Sequence, residues 1–194
     1  MPNWKPIVGL SFDAAGFDAY VKGLNWSNWR PEFIAIHNTA VPSLAQRPNG
    51  FSRQHITNLA GYYQGLGWRA GPHLFIDDHQ IWVFTPLTTT GRHSPSWNNL
   101  ALGFEMLGDY ASEPFTSGRG LAVRRNAIAA TATVSRRLGL NPKTIRLHKE
   151  DPATNHDCPG KNVEKAAFIA DVQAAINRHY SAADHDPASA HPEA

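Results

Sequence analysis

The chain has 194 residues, of which 42% are hydrophobic and 18% are charged, a balance typical of a folded domain with a substantial core. A formal net charge of +2 with scattered basic residues gives no reason to expect a nucleic-acid partner. One cysteine excludes an internal disulfide, and no apolar run is long enough for stable membrane insertion. We therefore expect a domain that holds itself together by its core, and a monomer is the simplest expectation.

The two ends of the chain differ in character from its middle. The start, MPNWKPIVGLSFDAAG, lacks a basic segment followed by a long apolar run, so we expect no signal peptide and synthesis in the cytoplasm. Residues 1–30 are predicted to be an N-terminal extension that packs on a single domain spanning 31–180. From about residue 181, SAADHDPASAHPEA is small, polar and proline-containing, which is typical of a disordered tail.

Helix and strand patterns alternate between these ends. FDAAGFDAYVKGL predicts a helix, FIAIH a buried strand ending at His37, and SRQHITNLAGYYQGLG a helix capped by Ser52. HLFIDDHQIWVF predicts a hairpin with its turn at 77–80, and LALGFEML predicts a further strand. Apolar steps of three and four predict helices over 121–138 and around 166–176, with TIRLH between them as a strand ending at His148. This order predicts an α/β or α+β fold around one mixed sheet.

Three residues form a candidate metal site. His37 and His148 each end a predicted strand, and Cys158 follows in the loop DCPG. Two neutral imidazoles and one thiolate suit a catalytic zinc, which takes three protein ligands and leaves a fourth position to water. The spacing matches no short zinc-finger pattern. The residues alone also permit a buried cysteine with two hydrogen-bonded histidines, or a hydrolase in which Cys158 is the nucleophile.

Four segments narrow these alternatives when they are taken together. FIAIHNTA, GWRAGPHLFID, GRHSPSWNNLALGFEMLGDY and HKEDPATNHDCPG occur in that order. They resemble the type 2 N-acetylmuramoyl-L-alanine amidases, a zinc amidase family that includes T7 lysozyme-like phage enzymes and the peptidoglycan recognition proteins. The resemblance implies an α/β fold with a mixed sheet flanked by helices and zinc in a surface groove. It also implies hydrolysis of the amide that joins N-acetylmuramic acid to L-alanine in peptidoglycan.

The resemblance also implies roles for individual residues. His37, His148 and Cys158 match the zinc ligands, whereas the neighbouring Asp157 is a rival ligand that is out of register by one. Glu105 in LGFEMLG matches the general base of many bacterial and phage members, although a glutamate on the solvent face of a strand is the simpler alternative. His156 replaces a lysine that stabilises the oxyanion, and it could instead orient its loop.

One departure from the family concerns a catalytic tyrosine. T7 lysozyme-like members carry it just before the histidine of the segment that matches GPHLF, where this chain has Pro72. Tyr62 and Tyr63 are near in sequence but out of register. The proton chemistry is therefore expected to depend on Glu105.

Substrate contacts are predicted on two segments that follow or face the ligands. These candidate residues are Asn38, Thr39, His93, Trp97 and Asn98. Trp97 could stack on a sugar, and Asn98 could bond peptide amides. The expected biological role is an endolysin that acts on periplasmic peptidoglycan, with a cytoplasmic amidase that recycles soluble muropeptides and a non-catalytic peptidoglycan-recognition module as alternatives.

Overall fold

Among the described residues, a six-stranded mixed sheet forms the centre of the fold. The computed structural model describes residues 4–184. The strands are β1 (Leu10–Phe12), β2 (Phe33–Asn38), β3 (Leu74–Ile76), β4 (Ile81–Val83), β5 (Ala101–Met106) and β6 (Arg146–Leu147), in the spatial order β1-β4-β3-β5-β2-β6. β2, β3, β5 and β6 are parallel, and β4 is antiparallel to β1 and β3. The carboxyl ends of the parallel strands therefore meet at one edge, where sites commonly form.

Helices pack around this sheet. They are α1 (Ala14–Lys22), α2 (Arg53–Gly65), α3 (Gly118–Leu138) and α4 (Lys165–Asp184), with short 3-10 helices at Pro142–Thr144 and His148–Glu150. Ser52 caps α2 by accepting the backbone N–H of His55, and Gly139 ends α3 with a φ of 67°, a left-handed conformation that favours glycine. α3 packs on β3, β4 and β5, and both α1 and α4 pack against α3. No helix of the described residues has the length and apolar character needed to cross a membrane.

The two faces of the sheet carry different side chains. Residues that pair in register share a face, so Leu74, Phe104 and Ile36 form one buried apolar layer. The next positions, at which Phe75, Glu105 and His37 pair, present the opposite face. This second face, beside α2, carries the polar residues of the candidate site.

The predicted α/β class with one mixed sheet and flanking helices is confirmed. β1 was not predicted. It lies within the predicted N-terminal extension and pairs with β4 as an edge strand of the sheet. The strand predicted to end at His148 is also shorter than expected. It stops at Leu147, and His148 begins a 3-10 helix. The backbone N–H of Leu147 donates to the carboxylate of Glu150 at 2.6 Å.

The C-terminal boundary differs in detail from the expectation. α4 extends to Asp184, so residues 181–184 belong to a helix although the sequence assigns them to the tail. Residues 185–194, the remainder of the predicted disordered tail, lie outside the described residues.

Candidate active site

The site begins at the carboxyl ends of two neighbouring parallel strands. His37 of β2 pairs in register with Glu105 of β5, and Nδ1 of His37 lies 3.9 Å from Oε1 of Glu105. Both strands are hydrophobic up to this point, so the sheet buries the two polar side chains near its edge. His37 is 1% exposed.

His148 and Cys158 reach the same place from the next strand. β6 lies beside β2, and His148 follows its last residue, so that the rings of His37 and His148 are 4.3 Å apart between centroids. The loop after His148 returns because the N–H of Lys149 donates to the carbonyl of Cys158 at 2.7 Å. The N–H of Asn38 donates to Sγ of Cys158 at 3.2 Å. The structure therefore brings together the three predicted ligands, whose ligand atoms lie within 4.8 Å of one another.

The chemistry of this donor set fits a zinc ion. Nε2 of His148 is buried and has no hydrogen-bond partner among the described residues, as expected of a nitrogen available to a metal. Burial lowers the pKa of both His37 and His148, which keeps both imidazoles in the neutral form that binds metals. Burial raises the pKa of Cys158, an effect that a bound cation opposes by stabilising the thiolate. Two imidazoles and one thiolate also match the composition of a catalytic zinc site.

Asp157, the rival ligand of the sequence analysis, does not join this cluster. The three side chains that converge are those of His37, His148 and Cys158. Asp157 is exposed, and its backbone carbonyl accepts the N–H of Gly160 at 2.6 Å. The geometry therefore favours Cys158.

Three cavities open around this cluster, and Glu105 borders all of them. The ligand cavity, about 400 Å³, is lined by His37, His148 and Cys158. The helix cavity, about 370 Å³, lies between α2 and Phe75. The wide cavity, about 880 Å³, extends from Trp68 past His148. A carboxylate at their common wall can reach a substrate that occupies any of the three.

Burial changes the proton affinity of Glu105. Its side chain is 16% exposed, and desolvation by burial raises its pKa to about 8. A cation bound beside it would favour the ionised form and lower that pKa. A carboxylate whose charge depends on its surroundings in this way is suited to accept and return a proton.

The side chains of Asn38 and Thr39 each make hydrogen bonds within the protein. Both residues line the ligand and helix cavities. Nδ2 of Asn38 donates to the carbonyl of Gly108 at 3.0 Å. Oγ1 of Thr39 donates to the carbonyl of Pro42 at 2.6 Å and accepts the N–H of Gly108 at 3.0 Å. Their predicted substrate contacts stay predictions, and the observed bonds shape the cavity floor.

The three candidates of the segment GRHSPSWNN occupy different positions. Asn98 lines the wide cavity, but its Oδ1 accepts the N–H groups of His93 and Ser94 at 2.7 and 2.9 Å. Trp97 is 8% exposed and packs edge-on against Phe33, with 5.5 Å between ring centroids. Trp97 is not among the residues that line the three cavities, and its ring serves packing. His93 also lines the wide cavity, but both of its ring nitrogens are hydrogen-bonded within the protein.

His156 lies at the open side of the ligand cluster, the group formed by His37, His148 and Cys158. It is exposed and lines both the wide and the ligand cavities. Its ring stacks on that of His148, with centroids 5.1 Å apart and an interplanar angle of 17°. This position allows an imidazole N–H to face a substrate beside the cluster.

Tyr63 joins the site although its sequence position did not predict this. It projects from α2 and lines the helix and wide cavities together with Glu105. Its ring stacks on Trp68, with centroids 4.9 Å apart and an interplanar angle of 3°, and meets Phe84 edge-on. Burial and the charge of Glu105 raise the pKa of Tyr63, so its hydroxyl keeps its proton as a donor. The helical spacing of Leu59 and Tyr63 along α2 is the one sequence signal that could have indicated this face.

The comparisons with known proteins agree with this geometry. Residues 27–161 match the model of the N-acetylmuramoyl-L-alanine amidase family. The chain belongs to this family. The predicted family and the predicted class of enzyme, an amidase, are therefore confirmed. No curated protein matches the chain at a significant level.

Solved structures of two endolysins and of a PGRP share the fold. The endolysin amidase LysCS of Clostridium intestinale is 22% identical, with a TM-score of 0.59 over 78% of this chain and 92% of that protein. A mutant endolysin from Bacillus subtilis is 21% identical, with a TM-score of 0.57 over 75% of this chain and 87% of its own. PGRP-LB of Drosophila is 17% identical, with a TM-score of 0.57 over 76% of this chain and 84% of its own. At these identities the similarity supports the fold.

Proposed function

We propose that this amidase uses zinc to hydrolyse the amide between N-acetylmuramic acid and L-alanine in peptidoglycan. The observation that carries the proposal is the convergence of His37, His148 and Cys158 beside Glu105. Membership of the N-acetylmuramoyl-L-alanine amidase family supports the choice of bond. The zinc ion itself, and the roles of individual residues, are parts of the proposal.

The ligands and the base have separate tasks. His37, His148 and Cys158 would hold the zinc, which when bound supplies a Lewis acid that lowers the pKa of water to about 7 and polarises a carbonyl. Glu105 takes the proton from the attacking water and delivers it to the leaving amine. Its place at the common wall of the three cavities supports both transfers.

The carbonyl oxygen gains negative charge as water attacks and needs a hydrogen-bond donor. His156 is exposed beside the ligand cluster and lines the same cavities as Glu105. We assign to it the stabilisation of this oxygen through an imidazole N–H. Its stacking on His148 holds the ring at the open side of the cluster.

Two other functions fit the residues less well. A recognition module without catalysis needs neither a base nor a complete ligand set, whereas this chain has Glu105 beside three converging ligands. A thiol hydrolase needs a cysteine of lowered pKa, but burial, followed by the charge of Glu105, raises the pKa of Cys158. Both observations favour a metal hydrolase.

The physiological substrate is proposed to be polymeric peptidoglycan, as for an endolysin. The similarity to LysCS, which is described as an endolysin, supports this role. An enzyme that recycles soluble muropeptides would use the same chemistry. Release of stem peptides from intact sacculi, compared with cleavage of soluble muropeptides, distinguishes the two roles.

Metal content and activity, measured on the same samples, test the proposal. The wild type is expected to contain one zinc per chain and to release stem peptides, and chelation should abolish that release until zinc is restored. Cys158→Ser should lose both zinc and cleavage. Asp157→Asn, which changes the adjacent side chain, serves as the matched control and should keep both. Cleavage by a zinc-free wild type that is stopped by iodoacetamide would contradict the proposal and assign Cys158 as the nucleophile.

A further inference from the structure

Behind the ligand cluster, two buried histidines are hydrogen-bonded to each other. Nε2 of His37 lies 3.1 Å from Nδ1 of His93. On its other side, Nε2 of His93 lies 3.1 Å from the carbonyl oxygen of Ala101, the first residue of β5. The side chains of His37 and His93 are 1% and 9% exposed, so little water reaches these nitrogens.

This chain of bonds determines where each proton sits. A carbonyl oxygen only accepts, so Nε2 of His93 must carry a hydrogen. Nε2 of His37 lies against His93 and is not free to bind a metal, and an imidazole that binds a metal through its other nitrogen is neutral and keeps its hydrogen here. Nδ1 of His93 is therefore an acceptor, and Nε2 of His37 must be its donor. The lone pair of His37 is left on Nδ1, the nitrogen that faces Glu105.

His93 is itself held firmly in this position. Its backbone N–H donates to Oδ1 of Asn98 at 2.7 Å. On β5, Gly103 faces the ring so closely that a Cβ there would lie 2.3 Å from Cγ of His93. The absence of a side chain at position 103 thus makes room for the imidazole. These contacts restrict the ring to one location, from which it contacts the nitrogen of His37 on the side away from Glu105.

We infer that His93 is a positioning residue that fixes the tautomer and ring orientation of His37, so that Nδ1 of His37 is presented as a zinc ligand. The inference rests on the proposed zinc function. It replaces the substrate contact that the sequence suggested for His93, because neither ring nitrogen is available to a substrate. A partner behind a metal-binding histidine commonly contributes 10- to 100-fold in metal affinity.

Zinc affinity of purified variants, measured by competition with a chromophoric chelator, tests the inference without reference to catalysis. His93→Phe keeps a ring but removes the acceptor, and it should weaken zinc binding by roughly 10- to 100-fold. His93→Asn places an amide oxygen near the position of Nδ1 and should recover part of the loss. His73→Asn is the matched control. His73 is also buried, but its Nε2 bonds to the carbonyl oxygen of Thr89 and its Nδ1 accepts the N–H of Gly103. Zinc affinity of this variant should therefore stay within about threefold of the wild type.

The tautomer can be measured in the wild type, so the test does not depend on whether a variant folds. Nitrogen-15 spectra of the zinc-loaded protein should show His37 protonated at Nε2 and not at Nδ1. The opposite tautomer, or equal zinc affinity in the wild type and a folded His93→Phe variant, overturns the inference and leaves the proposed function standing. Failure of the wild type to bind zinc overturns both.

Discussion

Glu105 and His37 face each other across two parallel strands, with 3.9 Å between Oε1 and Nδ1. The register of β2 and β5 therefore places a carboxylate directly beside a candidate metal ligand. Burial raises the pKa of Glu105 to about 8, so its charge depends on what is bound next to it. A cation in the ligand cluster favours the carboxylate, which is the form that can accept a proton.

Replacement of this carboxylate should separate catalysis from metal binding. Glu105→Gln keeps the shape of the side chain but cannot accept a proton, so kcat should fall by roughly 10²- to 10⁴-fold. Zinc content should remain that of the wild type, because Glu105 is not one of the three converging ligands. Glu164→Gln changes an exposed carboxylate outside the three cavities and should leave kcat unchanged. Full activity of Glu105→Gln would exclude the assigned base.

A second prediction concerns the hydroxyl of Tyr63. Its ring contacts Trp68 and Phe84 and it lines the wide cavity together with Glu105, so we expect its hydroxyl to donate a hydrogen bond to a bound substrate. Tyr63→Phe keeps the ring contacts and removes one donor, so kcat should fall by about 10-fold or more while the melting temperature stays unchanged.

The neighbouring tyrosine provides the comparison for that variant. Tyr62 also lines the helix cavity, but it is 61% exposed. Tyr62→Phe should leave kcat unchanged. Equal kcat values for the two variants and the wild type would show that the Tyr63 hydroxyl takes no part in the reaction.

The residue at position 156 should tolerate other hydrogen-bond donors. His156→Ala removes the N–H beside the ligand cluster, and kcat should fall by roughly 10²-fold with little change in KM. His156→Lys restores a donor and should recover most of the lost rate. Steady-state kinetics on a soluble muropeptide measure both. A loss of zinc in His156→Ala would instead indicate that the ring serves mainly to support His148.

The three residues predicted as ligands converge in the structure, and each of them follows a local signal in the sequence. His37 ends the strand FIAIH and His148 directly follows the short strand Arg146–Leu147, and the parallel arrangement brings such strand ends together. Cys158 is the one cysteine and precedes Pro-Gly. These local patterns indicated the three residues, the resemblance to the amidase family selected them over the alternatives, and the fold brings them together.

The residues around the ligands were harder to predict because their positions depend on contacts between distant parts of the chain. His93 meets His37 across 56 positions in sequence, and only the packing of its loop against Gly103 determines that contact. Tyr63 lines the same cavities as Glu105 because of how α2 lies on the sheet, and helical spacing indicates a face of α2 but not what that face packs against. Trp97 was predicted to contact substrate, but its ring packs against Phe33. β1 is three residues long, too short for alternation to reveal it.

The last prediction concerns Asp151, which joins the two loops that border the wide cavity. Its carboxylate is buried and accepts hydrogen bonds from Oγ of Ser94, from the N–H of Ser96 at 3.1 Å and from the N–H of Ala153 at 2.8 Å. Burial alone would raise the pKa of Asp151, but these hydrogen bonds outweigh it and hold the pKa at about 2. An unfolded aspartate has a pKa of about 3.9. The ionised side chain thus stabilises the fold above about pH 4, and this contribution is lost as the pH falls towards 2.

Asp151→Asn should therefore destabilise the protein in a pH-dependent manner. At pH 7 the free energy of unfolding should fall by roughly 1–3 kcal/mol, because charge-assisted hydrogen bonds are replaced by weaker ones. The difference from the wild type should be constant between pH 5 and 7 and should shrink below about pH 4, as the wild-type carboxylate takes up its proton. Denaturant unfolding at a series of pH values measures this difference, with Asp157→Asn as a control that removes an exposed carboxylate. A difference that stays the same down to pH 2 would show that the charge of Asp151 does not stabilise the loops, and that only the shape of its side chain does.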